Sequence, residues 1–221
     1  MELDFENSIK EKAPSLEVAL IISDVENPPT GANLWNRLEE AAARIKADLS
    51  IETVNKRPSI LATRKAYKAF GKDPNRYRPS AEALTRRVVK GMDLYRTTAI
   101  VDLVNLVSLL TGHSIGAFDA EKISGSKLTL GVGCENEPYE AIGRGPLNIS
   151  GLPVWRDEIG GIGTPTSDNE RTKLSDDTRK LLITVNCYDS QPSAEETAAL
   201  LVDLLKEYAS ASNTYIKIYR P

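Results

Sequence analysis

Between Ile100 and Ile123 the chain reads IVDLVNLVSLLTGHSIGAFDAEKI, and this segment limits the fold more than any other. Apolar residues recur at helical spacing from Ala99 to Leu110, and Thr111-Gly112 ends the pattern. Asp102 and Asn105 lie about one helical turn apart, so both can face one pocket. A buried asparagine must find partners, because an unpaired amide costs about 1–3 kcal/mol. Asn105 therefore either orients a ligand carbonyl or a water, or ties down a neighbouring loop. A compact Gly-Ala-Phe-Asp turn is expected at residues 116–119.

The other segments read as a mixed fold. Residues 17–25, EVALIISDV, form a run too short for a typical helix and are expected to be a buried strand, stopped by Asn27-Pro28-Pro29. Helices are expected over 34–51, over 60–70 ended by Gly71, and from a Ser80 cap to Lys90. After residue 127 the pattern favours strands: 127–133, 147–149, 153–156 and, most clearly, 181–187 (LLITVNC). Ser193 and Glu196 form a capping-box pair for a helix to about Ala209, and 215–219 reads as a closing strand. A helix-rich first half, a strand-rich second half and no long linker predict one α+β domain over residues 1–221.

Composition excludes several functions. No apolar run reaches the roughly 18 residues of a membrane span, and the N-terminus lacks a secretion signal, so a cytoplasmic protein with no membrane partner is expected. One histidine, His113, and two distant cysteines, Cys134 and Cys187, predict no zinc site, a surface or capping imidazole, and two buried reduced thiols. Asp168, Glu170, Asp176 and Asp177 read as a solvated acidic loop rather than a Mg²⁺ site. The glycines of residues 143–163 lack a phosphate-loop context and read as turns; no cofactor is expected.

Charge is unevenly placed. Residues 56–96 hold twelve basic side chains against Asp73, Glu82 and Asp93, in a chain of net charge −3. Tyr67, Phe70 and Tyr77 are interleaved. Such a stretch either meets phosphate backbones and stacks bases, or forms two solvated amphipathic helices.

The segment 101–119 resembles the B3/B4 domain, the editing module of the beta chain of bacterial phenylalanyl-tRNA synthetase. VDLVNLV and GHSIGAFD match that family's VVDVTNYV and GQPMHAFD without insertion between them. By this resemblance Asn105 falls on the family's pocket asparagine, Val104 replaces a threonine, and Gly116 stands where the family has a pocket histidine. Ala117, Phe118 and Asp119 match directly. A weaker second block, residues 171–187, is similar to the stretch leading into a buried strand, and it puts Glu170 at the position of the glutamate that reads a tyrosine hydroxyl. Val154-Trp155-Arg156-Asp157 resembles a pocket-lining VIAD stretch, with Arg156 in place of a small residue. The resemblance covers residues 60–190, and Arg64–Gly71 with Leu84–Gly91 is similar to free-standing members.

What the resemblance implies is a free-standing editing-type protein that binds aminoacyl-tRNA and hydrolyses a mischarged ester. Asn105 and Glu170 would be catalytic, and Arg156, Gly116, Ala117 and Asp119 would contact the amino-acid ligand. Arg64, Lys65, Lys68, Arg86 and Arg87 would hold tRNA, with no DNA partner. The alternative is a non-catalytic binder of a free amino acid or small carboxylate, which Arg156 could grip bidentately.

Overall fold

A computed structural model describes all of residues 1–221. In chain order the elements are β1 (Glu2–Phe5), α1 (Asn7–Lys12), β2 (Leu16–Asp24), α2 (Ala32–Asp48), α3 (Pro58–Ala69), α4 (Ser80–Val89) and α5 (Ala99–Thr111). Then come β3 (Ile115–Asp119), β4 (Lys127–Val132), β5 (Glu140–Ala141), β6 (Gly145–Pro146), β7 (Pro153–Arg156), β8 (Gly161–Gly163), β9 (Lys180–Tyr188), α6 (Ala194–Tyr208) and β10 (Ser212–Tyr219). Short 3₁₀ turns cover Val54–Lys56, Ala120–Lys122 and Glu170–Thr172. The fold is α+β. All helices but α6 precede β3, so the expected division of the chain holds, with β1 and β2 as its exceptions.

One antiparallel sheet has the order β10-β2-β9-β3, and a second has the order β1-β4-β7-β8. Side chains alternate across the first sheet, as a strand requires. Ala19, Ile21, Ile115, Ala117, Ile183 and Val185 point toward α2, α5 and α6 in the larger core. Val18, Leu20, Phe118 and Leu182 point the other way, onto Leu128, Leu130 and Trp155 of the second sheet. The molecule is therefore layered helices–sheet–sheet, with apolar cores on both faces of β9. That is why LLITVNC is apolar almost throughout instead of alternating.

Several expectations are corrected. Residues 116–119 belong to strand β3, paired to β9 from Ile115↔Val185 to Asp119↔Leu181, and are not a turn. Residues 147–149 form no strand; the short element there is Gly145–Pro146. Pro79, not Ser80, is the N-cap of α4, and no side chain caps it. The capping box of α6 is present, with Ser193 and Glu196 bonded reciprocally. Gly112 ends α5 in the left-handed region at φ 81°, a conformation that favours glycine.

Candidate functional site

A cavity of about 430 Å³ opens where α5 passes β3, a size that suits a small organic ligand. Val101, Val104, Asn105 and Ser108 line it from α5, and Ile115 and Ala117 from the helix-facing side of β3. Thr164, Ser167, Asp168 and the stretch Lys173–Asp176 close it from the loops after β8. The wall is thus mixed: an aliphatic floor with hydroxyls, one amide, two carboxyls and one ammonium.

Two polar groups dominate its chemistry. Asn105 is partly buried, and its amide makes no hydrogen bond to the rest of the chain. Asp168 is half-buried against β3, and its Oδ2 accepts a hydrogen bond from the Ala117 N–H at 3.2 Å. Desolvation pushes the Asp168 carboxyl up to about 7, while that hydrogen bond pulls in the opposite direction. Asp168 is therefore not the solvated acid its sequence context predicts. Burial from residues far along the chain produces its character, and the acidic stretch alone hides it.

Asp102, one turn before Asn105, does not reach the cavity. It is fully buried, and its carboxylate takes Thr30 Oγ1, the Thr97 N–H and Thr97 Oγ1 at 2.5, 3.0 and 2.8 Å. Its work is to hold the segment leading into α5. His113 is likewise fully buried rather than superficial, its Nε2–H donating to the Pro192 carbonyl at 2.8 Å. Desolvation lowers its pKa, so the ring stays neutral. Of the two thiols only Cys187 is buried; Cys134 is exposed.

The family model for the B3/4 domain matches residues 62–203, well over half of the sequence. The chain belongs to the B3/4 domain family. Among solved structures it is similar to an N-terminal fragment of the phenylalanyl-tRNA synthetase beta subunit from Pyrococcus horikoshii, with 12% identity and a TM-score of 0.49. That comparison covers 100% of this chain and 54% of the fragment, so the chain spans about half of the fragment's length. No curated protein matches it.

In this B3/4 domain the residues expected to form one site separate into groups. Asn105 and Ala117 share the cavity. Gly116 does not, because it faces the other side of β3 from Ala117. A Cβ there would stand 2.7 Å from the Phe118 ring and 2.9 Å from Thr184 Oγ1, so the space a pocket side chain needs is filled. Asp119 closes the end of β3, accepting from Thr178 Oγ1 at 2.9 Å and from the Glu121 N–H at 3.1 Å.

Arg156 is committed elsewhere. On β7 it forms a two-pronged pair with Glu137 at 2.7 and 2.8 Å, reaches Glu6 at 3.3 Å, and donates to the Val132 carbonyl at 3.0 Å. It is not a wall of the cavity. Glu170 is also outside the lining and forms an ion pair with Lys173, which does line the cavity. The expected convergence of Asn105, Arg156 and Glu170 on one hollow is not what the fold builds. Asn105 and Asp168 both line the cavity instead.

The basic stretch divides similarly. Arg64 is buried, binding Glu82 at 2.8 Å, the Pro74 carbonyl at 3.2 Å and Asn75 Oδ1 at 2.7 Å. Arg86 takes the other Glu82 oxygen at 2.8 Å and the Ile51 carbonyl. Arg87 bonds the Asp93 carbonyl and lies 4.3 Å over the Tyr95 ring. These three arginines tie α3 and α4 to their surroundings. Lys65 and Lys68 remain exposed on α3. No helix is long and apolar enough to cross a membrane.

Proposed function

We propose that this protein accepts the aminoacyl end of a tRNA and hydrolyses a mischarged aminoacyl ester. The observation that carries the reading is the cavity in which the free Asn105 amide and the Asp168 carboxyl, pushed up to about 7, both line the wall. Family membership makes a tRNA-synthetase-related role the natural frame. An aminoacyl ester is already activated, so positioned water and one base suffice for hydrolysis.

In this mechanism the Asp168 carboxylate takes a proton from water as the water oxygen attacks the ester carbonyl carbon. The Asn105 amide donates to the carbonyl oxygen as it gains charge. The tetrahedral intermediate then collapses, breaking the bond to the ribose oxygen, which recovers the proton from Asp168. A base with pKa near the working pH suits this step, and such a group contributes about 10²–10⁴-fold. The amino-acid side chain rests on Val101, Val104 and Ile115. Glu170 acts indirectly, holding Lys173 at the wall. Lys65 and Lys68 supply the cations still free for the RNA backbone, and binding weakens as salt rises.

The test is release of amino acid from mischarged phenylalanine tRNA by the purified protein. Asn105→Ala and Asp168→Asn are each expected to reduce the rate at least about 100-fold. Binding of a free amino acid without any ester turnover would instead support the non-catalytic alternative, with Lys173 rather than Arg156 meeting the carboxylate.

A further inference from the structure

Several hydroxyl side chains line the Asn105 cavity, and most are already used within the chain. Thr97 Oγ1 donates to Asp102 at 2.8 Å, Thr164 Oγ1 to the Ser167 carbonyl at 3.0 Å, and Ser167 Oγ to the Asp168 carbonyl at 3.3 Å. Thr98 Oγ1 is sealed in the interior. Ser108 differs from all of these. It is only 5% exposed, yet its Oγ makes no hydrogen bond with the chain. A helical serine or threonine commonly folds back onto the carbonyl one turn earlier, as Thr111 Oγ1 does onto Val107 at 2.8 Å. Ser108 does not. Nor is its Oγ among the hydroxyls closed off from all open space. The space left to it is the cavity that the residue lines. Ser80 and Ser175 also line it but are less buried.

We infer that Ser108 is a specificity-determining residue of this cavity, and that the ester it selects carries a β-hydroxy amino acid such as threonine or serine. The inference rests on the ester-hydrolysis reading, in which the Asn105 amide donates to the ester carbonyl oxygen. Ser108 follows Asn105 by three residues on α5, and side chains at that spacing are neighbours, with Cβ atoms about 5–6 Å apart. A β-hydroxyl sits on the second carbon from the ester carbonyl, a separation that suits adjacent turns of one helix. A phenol hydroxyl is held farther out, beyond its ring, and a plain aliphatic chain has no polar atom for Ser108 to meet. Ser108 Oγ both donates and accepts, as an alcohol partner does. Val104 and Ile115, which share the lining, give an apolar surface for the rest of a short side chain. Valine, the isostere of threonine, would set a methyl group against Ser108 Oγ and leave it unpaired, which is the basis of selection.

The test is the rate at which the purified full chain releases amino acid from one tRNA charged in turn with threonine, valine and tyrosine. Threonine should leave about tenfold faster than valine, the worth of one hydrogen bond to a hydroxyl, and also faster than tyrosine. Ser108→Ala should bring the threonine-to-valine ratio close to one, a change that a purely structural role for Ser108 would not produce. Equal release of threonine and valine by the wild type, fastest release of tyrosine, or an unchanged ratio in Ser108→Ala would each overturn the inference while leaving ester hydrolysis standing. No release from any of the three would defeat the hydrolysis reading, and this inference with it.

Discussion

The Asp168 carboxylate and the Ala117 backbone are joined across the cavity wall by a 3.2 Å hydrogen bond, which ties the loop after β8 to strand β3. This contact brings the carboxyl pushed up to about 7 to the edge strand β3, where it lines the same cavity as Asn105.

Asp168 should leave a signature in stability as well as in activity. Its native pKa, about 7, lies above the ordinary 3.8, so the native state holds a proton that the unfolded chain releases. Its contribution is fully present below 3.8 and is lost as pH rises toward about 7. Asp168→Asn keeps an acceptor for the Ala117 N–H but cannot titrate. Urea unfolding across that pH window should show the wild type losing stability relative to Asp168→Asn as pH rises.

Glu82 is fully buried and is gripped by Arg64 and Arg86, each at 2.8 Å. Removing one partner strands a buried charge. Arg64→Ala should therefore cost about 3–5 kcal/mol in chemical denaturation, the mark of a structural pair rather than an RNA contact.

Restoring a side chain at Gly116 should harm rather than help. A Cβ there meets Phe118 and Thr184 at under 3.0 Å. Gly116→Ala should destabilise by about 1–3 kcal/mol, and Gly116→His should show no gain in ester hydrolysis. A faster Gly116→His enzyme would place position 116 in the cavity after all.

Arg156→Ala should leave ligand binding in the Asn105 cavity unchanged and lower stability. Desolvation pushes the Glu137 pKa up, but hydrogen bonds from Arg156 and the Cys134 N–H together outweigh it and leave it depressed, so the pair's contribution is present above the usual carboxylate value and fades as pH falls. Thermal melts of wild type and Arg156→Ala should converge in acid.

Much of the fold was readable locally. β2 and β9 announce themselves by unbroken apolar runs, α5 by its period and its terminal glycine, and α6 by the Ser193–Glu196 box. β3 gives no strand signal in its own residues, because Gly116 and Asp119 carry turn chemistry and its pairing comes from β9, far along the chain. β8, the tripeptide Gly161–Gly163, gives no strand signal of its own. The site was legible at Asn105 and Ala117 through the family resemblance, because residue type alone left Asn105 open to a loop-tying role and Ala117 was expected in a turn. It was not legible at Asp168, whose unusual acidity comes from burial against β3, nor at Arg156, whose partners Glu6 and Glu137 come from separate segments.

The most direct test is the pH dependence of amino-acid release from mischarged phenylalanine tRNA. The rate should rise through a transition near 7, set by Asp168, and the transition should vanish along with most of the rate in Asp168→Asn. Release no faster than without protein, or an Asp168→Asn profile identical to the wild type, would contradict the account.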